Sequence, residues 1–166
     1  MTGITQINSE VFVSEGSLVQ LDEVQVDVLK QQAKRNVRQR ARICAHRNPE
    51  DRLHEMLIVL TKEAYIRPHK HLNKTESLHV IDGTALVIYF DDDGNIGEVV
   101  RIGQYKSGHQ FYVRNEDSRY HMQIIMSDYL VFHEVTNGPF NRSDTLFAPW
   151  APEETEIGRA SCRERV

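Results

Sequence analysis

The sequence predicts a mainly β protein, a β-barrel or double-sheet sandwich preceded by one N-terminal helix. Three observations lead there. The chain has 166 residues and a mass of 19.2 kDa, the size of one domain that can bury a core without disulfide staples. After residue 40, about nine short runs of β-forming residues follow at close spacing, each bounded by Gly, Pro, Asn or Asp. Before them only one stretch has a helical pattern, and no internal repeat or low-complexity segment interrupts the chain.

The helix is expected from Asp22 to about Val37. Asp22 is a capping residue, Val24, Val28 and Leu29 fall near one face, and Lys30, Lys34 and Arg35 lie toward the C-terminal end. From Arg40 to His46 the period becomes two: Arg40, Arg42, Cys44 and His46 alternate with Ala41, Ile43 and Ala45. Asn48-Pro-Glu-Asp51 is a turn, His54–Thr61 a strand, and Tyr65–His71 an extended segment whose Pro68 disfavours helix. Glu76–Asp82 and Thr84–Phe90 are strands joined at Gly83, which permits a sharp turn. Asp91–Asn95 is a hairpin loop leading into Ile96–Ile102. Phe111–Arg114, Tyr120–Met126 and Tyr129–Val135 complete the set before Asn137-Gly-Pro139 breaks the pattern.

Hydrophobic residues make up 40% and charged residues 27%, as in soluble globular proteins, and no apolar run approaches the ~18 residues of a membrane span. Met1-Thr-Gly-Ile-Thr5 lacks the basic and apolar regions of a secretory signal. A formal net charge of −4 argues against general nucleic-acid binding. Two cysteines, Cys44 and Cys162, make no disulfide framework and suggest a reducing compartment. The expectation is a soluble cytoplasmic protein with neither nucleic acid nor membrane as partner. The last stretch, Ile157 to Val166, shifts in composition and looks like a translated sequencing-adaptor read-through; its other reading is a disordered natural tail. On either reading it is set aside from the fold, and its three Arg and one Glu leave the remaining chain more acidic by two charges. The expected division is therefore a strand and helix extension over 1–40, a β-barrel over 41–156 and a tail over 157–166.

The chemistry concentrates in Pro68-His-Lys-His-Leu-Asn-Lys-Thr-Glu-Ser-Leu-His-Val-Ile-Asp-Gly83. On a strand, His69 and His71 point to the same face because side chains alternate. Glu76 follows after a gap long enough for a short turn to return a carboxylate to the same place. Two imidazoles and a carboxylate suit one divalent transition metal: Fe, Mn, Zn, Ni or Co. This spacing of His, His and Glu would arise by chance roughly 0.03 times in a chain of this composition, so exposed strand histidines are the weaker explanation.

His69-x-His71-x₄-Glu76-x₆-Gly83 resembles the first motif of the cupins, although Glu63 stands where that motif usually has a Gly. Cupins carry a further His on a later strand, and His121, in Arg119-Tyr-His-Met-Gln-Ile-Ile125, is the best match; the usual Pro-x-Gly before it is replaced by Glu116-Asp-Ser-Arg119. Together with Phe90-Asp-Asp-Asp-Gly94, Phe132-His-Glu-Val-Thr-Asn-Gly-Pro-Phe140 and Phe147-Ala-Pro-Trp-Ala-Pro152, the segment from Tyr65 is similar to the WbuC family of cupin-fold metalloproteins, over roughly Arg38 to Glu154. The resemblance implies a double-stranded β-helix, or jelly-roll barrel, and the ligand set His69, His71, Glu76 and His121. It also implies a place among the enzymes of surface-polysaccharide (O-antigen) assembly. A homodimer is the default expectation for a cupin.

His133 competes with His121 for the fourth ligand position; its other readings are a half-buried strand histidine or a residue supporting the ligands, a role Gln123 could share from the face of His121. His79 has the opposite strand parity to Glu76 and is expected to point outward. Arg42 and His46, with Arg67 and Tyr65, are the candidate substrate contacts, because a cationic stripe in an acidic chain suits an anionic small molecule; the alternative is a solvated edge. Catalytic residues are not assigned. Three His and one Glu leave an octahedral ion about two open positions for Lewis-acid or O₂ chemistry. Three functions stay open: an isomerase or epimerase acting on a sugar, nucleotide sugar or related anion; an Fe(II)-dependent dioxygenase; and a non-catalytic metal- or sugar-binding module.

Overall fold

In the computed structural model, residues 3–157 are described; the expected tail beyond Ile157, with Cys162, lies outside them. The chain opens with β1 (Ile4–Gln6) antiparallel to β2 (Val11–Ser14). α1 (Glu23–Arg35) then crosses over, and β3 (Arg40–Cys44) lies parallel to β2. Asp22 caps α1: its carboxylate accepts from the Val24 N–H at 2.8 Å, and the Gln25 side chain accepts from the Asp22 N–H at 2.8 Å. This reciprocal pair satisfies amide groups that a helix start leaves open. Asp22→Ala is expected to cost about 1 kcal/mol in urea denaturation, and an unchanged midpoint would refute the cap.

The buried stripe of α1 is Leu29 and Ala33, with Val26 packed beside them. Val24 and Val28, expected on that face, stand 58% and 38% exposed. Residues 26, 29 and 33 follow the three-and-four spacing of one helix face, and the sheet covers only that width.

Twelve strands form two sheets among the described residues. The larger contains, after β1, β2 and β3, the strands β4 (Leu53–Thr61), β11 (Tyr129–Asn137), β6 (Glu76–Asp82) and β9 (Tyr112–Asn115), in that order. The smaller runs β12 (Thr145–Phe147), β5 (His69–His71), β10 (Tyr120–Ile125), β7 (Thr84–Phe90) and β8 (Ile96–Gly103). Every pairing from β3 onward is antiparallel. Leu60, Leu78, Val80, Leu130 and Phe132 of the larger sheet meet Ala85, Val87, Tyr89, Ile102 and Ile125 of the smaller one, which is the core of a two-sheet jelly roll. A second apolar cluster lies on the outer face of the larger sheet, where Leu29 and Ala33 pack on Ala41, Ile43, Leu57, Val59 and Val131.

The central strands β4 and β11 are therefore covered on both faces. At one end of the sandwich the inward-facing positions turn polar, with Glu76 on β6 and Glu134 and Thr136 on β11, and this polar end is the cup. No helix among the described residues is long and apolar enough to cross a membrane.

Candidate metal centre

Register places His69 on β5 directly opposite His121 on β10, and His71 shares their face two residues along. The three rings cluster with centroids 4.6 to 5.7 Å apart. One ligand nitrogen from each lies within 4.8 Å of the others, the scale of two metal–ligand bonds end to end, about 4.2 Å. Glu76 arrives from the other sheet, as the first residue of β6, after a turn in which the Leu72 N–H donates to the Asp144 carbonyl at 2.7 Å. Its two carboxylate oxygens lie 3.0 Å from His71 Nε2 and 3.5 Å from His121 Nε2.

The opposite ring nitrogens are tied back. His69 Nδ1 donates to the Arg67 carbonyl at 2.8 Å and His121 Nδ1 to the Arg119 carbonyl at 3.1 Å, each two residues upstream. His71 Nδ1 meets Thr145 Oγ1 of β12 at 3.1 Å. The two carbonyl acceptors require Nδ1–H in His69 and His121, so Nε2 is the atom those rings keep for a metal, and all three bonds hold the rings in orientation, the support that metal-ligating histidines need. Three pinned imidazoles and a carboxylate, mostly buried and converging, fit one divalent transition metal.

The electrostatics match. Burial, reinforced by the neighbouring His121, lowers the His69 pKa to about 4, so this ring is neutral near pH 7. Burial opposes charge on His121 and on Glu76 alike, but their mutual hydrogen bond and attraction outweigh it; His121 is raised and Glu76 is held well below the usual carboxylate range.

The sequence reading missed Glu134. On β11 it shares the inward parity of Leu130 and Phe132 and stands opposite Met56 on β4 and Leu78 on β6. It faces the cup, within reach of the charges of Glu76, Arg42, Lys74 and His121. Removal from water and the Glu76 carboxylate raise its pKa to about 8, so near neutrality it is a carboxylic acid with a proton to give. Its folded pKa exceeds the ordinary 4.5, so its stability contribution is complete below that value and is lost as pH rises through about 8. In metal-free protein, Glu134→Gln should therefore gain on the parent between pH 5 and pH 8, by roughly 2–4 kcal/mol at the upper end. Parallel thermal unfolding at the two pH values checks this, and a pH-independent difference would refute it.

His133, the rival ligand, lies on the other face of β11, with Nε2 3.7 Å from a Glu55 carboxylate oxygen. It lines an open groove of about 1220 Å³ beside α1 and does not join the three rings. His46 also lines that groove, stacked on His54 at 4.0 Å; burial and His54 lower its pKa. Arg42 keeps the cup-facing parity, opposite Ile58, and its charge reaches Glu134 and the buried Cys44 thiol. Arg67 and Tyr65 hold the segment after β12: Arg67 donates to the Ala148 carbonyl at 3.4 Å, and the Tyr65 hydroxyl to the Pro152 carbonyl at 3.1 Å. Gln123 follows His121 on the same face, with Oε1 buried and without a partner. His79 points outward, its ring 5.7 Å from that of Phe111. Beside Tyr89, whose ring is 6.0 Å from that of His121, a cavity of about 300 Å³ reaches Arg119, Glu98 and Asn115.

A family model described as a domain of unknown function, DUF6016, matches residues 21–102. No curated protein matches the sequence. Among solved structures, protein SO0799 from Shewanella oneidensis is similar with a TM-score of 0.53 at 11% identity, over 68% of this chain and 75% of that one. Oxalate decarboxylase from Bacillus subtilis gives 0.47 at 19% identity, over 59% of this chain and 24% of its own. Procruciferin, an 11S globulin from Brassica napus, gives 0.44 at 17%, over 57% and 22%. This chain thus spans about a quarter of the length of the decarboxylase, a protein described as having Mn(II) centres. The fold is a double-sheet jelly roll like that of protein SO0799, with three clustered imidazoles and the Glu76 carboxylate at its polar end.

Proposed function

We propose that the cup holds one divalent transition metal on His69, His71, His121 and Glu76, and that the loaded protein is an isomerase- or epimerase-type enzyme. Its substrate would be a sugar, nucleotide sugar or related small anion, and its setting, as the WbuC resemblance implies, surface-polysaccharide (O-antigen) biosynthesis. The observation that carries the reading is the convergence of three Nδ1-pinned imidazoles and Glu76 at a cup that also contains a carboxylic acid, Glu134. A bound divalent ion would supply Lewis acidity that polarises a substrate carbonyl and acidifies the adjacent C–H. Glu134 would take that proton in its ionised form, whose share grows as pH approaches its pKa of about 8, and would return it from the carboxylic acid so formed. Arg42 and Lys74 supply positive charge on the same side for an anionic substrate. Arg67 and Tyr65 would act only through the segment after β12 that they hold, and His46 lines the groove beside α1. A cytoplasmic homodimer is the setting in which we place this activity.

Elemental analysis of protein purified without added metal should find about one equivalent of metal per chain. Incubation with a phosphosugar and nucleotide-sugar panel in D₂O, followed by NMR, should show C–H exchange that vanishes on metal removal and in Glu134→Gln. Metal binding without exchange, but with oxygen uptake, would replace the isomerase by a dioxygenase. Ligand binding with neither would leave a binding module.

A further inference from the structure

We infer that the cup contains a hydroxyl-recognition subsite, with Gln123 and Thr136 as the residues that select hydroxylated ligands over their deoxy counterparts. The inference rests on the metal-cup reading and deepens it. Gln123 is the position on β10 between the His121 ligand and Ile125 of the core, opposite Val87 on β7. It is the last polar side chain on that face before the interior becomes apolar. Its Oε1 is buried and has no hydrogen-bond partner. On the facing sheet, Thr136 of β11 is paired with Glu76 of β6 and is 3% exposed, and its Oγ1 is also buried without a partner. Two unmet polar atoms thus belong to residues next to ligand positions in the strand ladder, Gln123 two along from His121 in one sheet and Thr136 opposite Glu76 in the other.

Such atoms are costly, and folded proteins rarely leave them unsatisfied without a purpose or a guest molecule. Turning the Gln123 amide over exchanges a buried acceptor for a buried donor and removes nothing. A hydroxyl, donor and acceptor at once, satisfies the amide in either orientation and the threonine as well. A methylene in its place satisfies neither. The ligand class is therefore a small hydroxy acid or polyol anion, with one oxygen toward the imidazoles and neighbouring hydroxyls toward Gln123 and Thr136.

The test is calorimetric titration of Mn²⁺-loaded protein with tartrate against succinate and gluconate against hexanoate. Gln123→Leu and Thr136→Val are compared with the parent, with Gln123→Met as a second variant should the leucine fail to fold. The parent should prefer the hydroxylated member of each pair by roughly tenfold or more. The variants should lose that preference with Mn²⁺ affinity unchanged, and Gln123→Leu should raise the Tm of the ligand-free protein. Discrimination that survives in the variants would assign it to chelation alone and overturn the subsite. Failure of the parent to discriminate, or to bind a hydroxylated ligand, would leave only ordered water at these atoms and overturn it equally. Failure to bind Mn²⁺ itself would register separately, in the metal titration, and would remove the metal-cup reading with it.

Discussion

His121→Ala should reduce affinity for Mn²⁺ or Zn²⁺ by roughly 100-fold or more while leaving the fold intact. His121 is the bridge of the cluster. It lies opposite His69 in the strand ladder, has its Nε2 3.5 Å from a Glu76 carboxylate oxygen, and is anchored through the Arg119 carbonyl at 3.1 Å. Removing it takes away one of the proposed ligands and the partner that helps hold the Glu76 carboxylate ionised. Thr145→Val, which removes only the Oγ1 partner of His71 Nδ1, should cost about tenfold, in line with supporting shells elsewhere. His133→Ala, on the opposite face of β11, should change nothing. Because only neutral imidazole binds a metal, affinity should also fall as pH drops through the raised titration of His121. Calorimetry with elemental analysis, alongside circular dichroism to show folding, decides the matter. Equal losses for His121→Ala and His133→Ala, or none for either, would sink the assignment.

The contrast between His121 and His133 shows what the sequence could and could not express. His69, His71 and Glu76 were legible because a short strand keeps strict parity and the turn after it is brief. His121 was legible because it shares its face with Gln123 and Ile125, and Tyr89 and Val87 stand opposite that face's positions on β7, on the core side. On β11 the alternation is erased. Val131 and Phe132 are both fully buried, one under α1 and the other between the sheets, so period two carries no sign there. A histidine in that strand drew attention as a ligand, while Glu134, one residue on, held the inward face. The signal that would have found it is the run Leu130, Phe132, Glu134, Thr136, in which a carboxylate continues an apolar row. The fold class was readable from turn spacing, but β12 was not. Three residues long, it exists because its register against β5 brings Thr145 to His71 and Phe147 to His69. Long-range pairing of that kind leaves no local pattern.

Gly83→Val should destabilise the protein by about 4 kcal/mol or more, enough to unfold a marginal domain. Gly83 is the corner at which the chain leaves β6 in the larger sheet and enters β7 in the smaller one. Its φ of +91° is a backbone state that side-chain-bearing residues rarely adopt, and a Cβ built there would lie 2.1 Å from the Tyr129 carbonyl oxygen and 2.6 Å from Ser127 Oγ. Neither neighbour can retreat easily. Ser127 Oγ accepts from the Thr84 N–H at 2.8 Å and donates to the Tyr129 carbonyl at 2.5 Å, so the corner is one hydrogen-bonded unit. Gly108 supplies the control. Its φ of +83° is similar, but nothing lies within 4 Å of its Cβ position. Gly108→Val should therefore carry only the backbone cost, about 1–2 kcal/mol, and the difference between the two variants isolates the steric clash. Both are measured by urea denaturation of metal-free protein, so loss of ligand binding cannot contribute. Equal costs at the two glycines would mean that the corner yields, and that the crossing between sheets does not depend on close approach at Gly83.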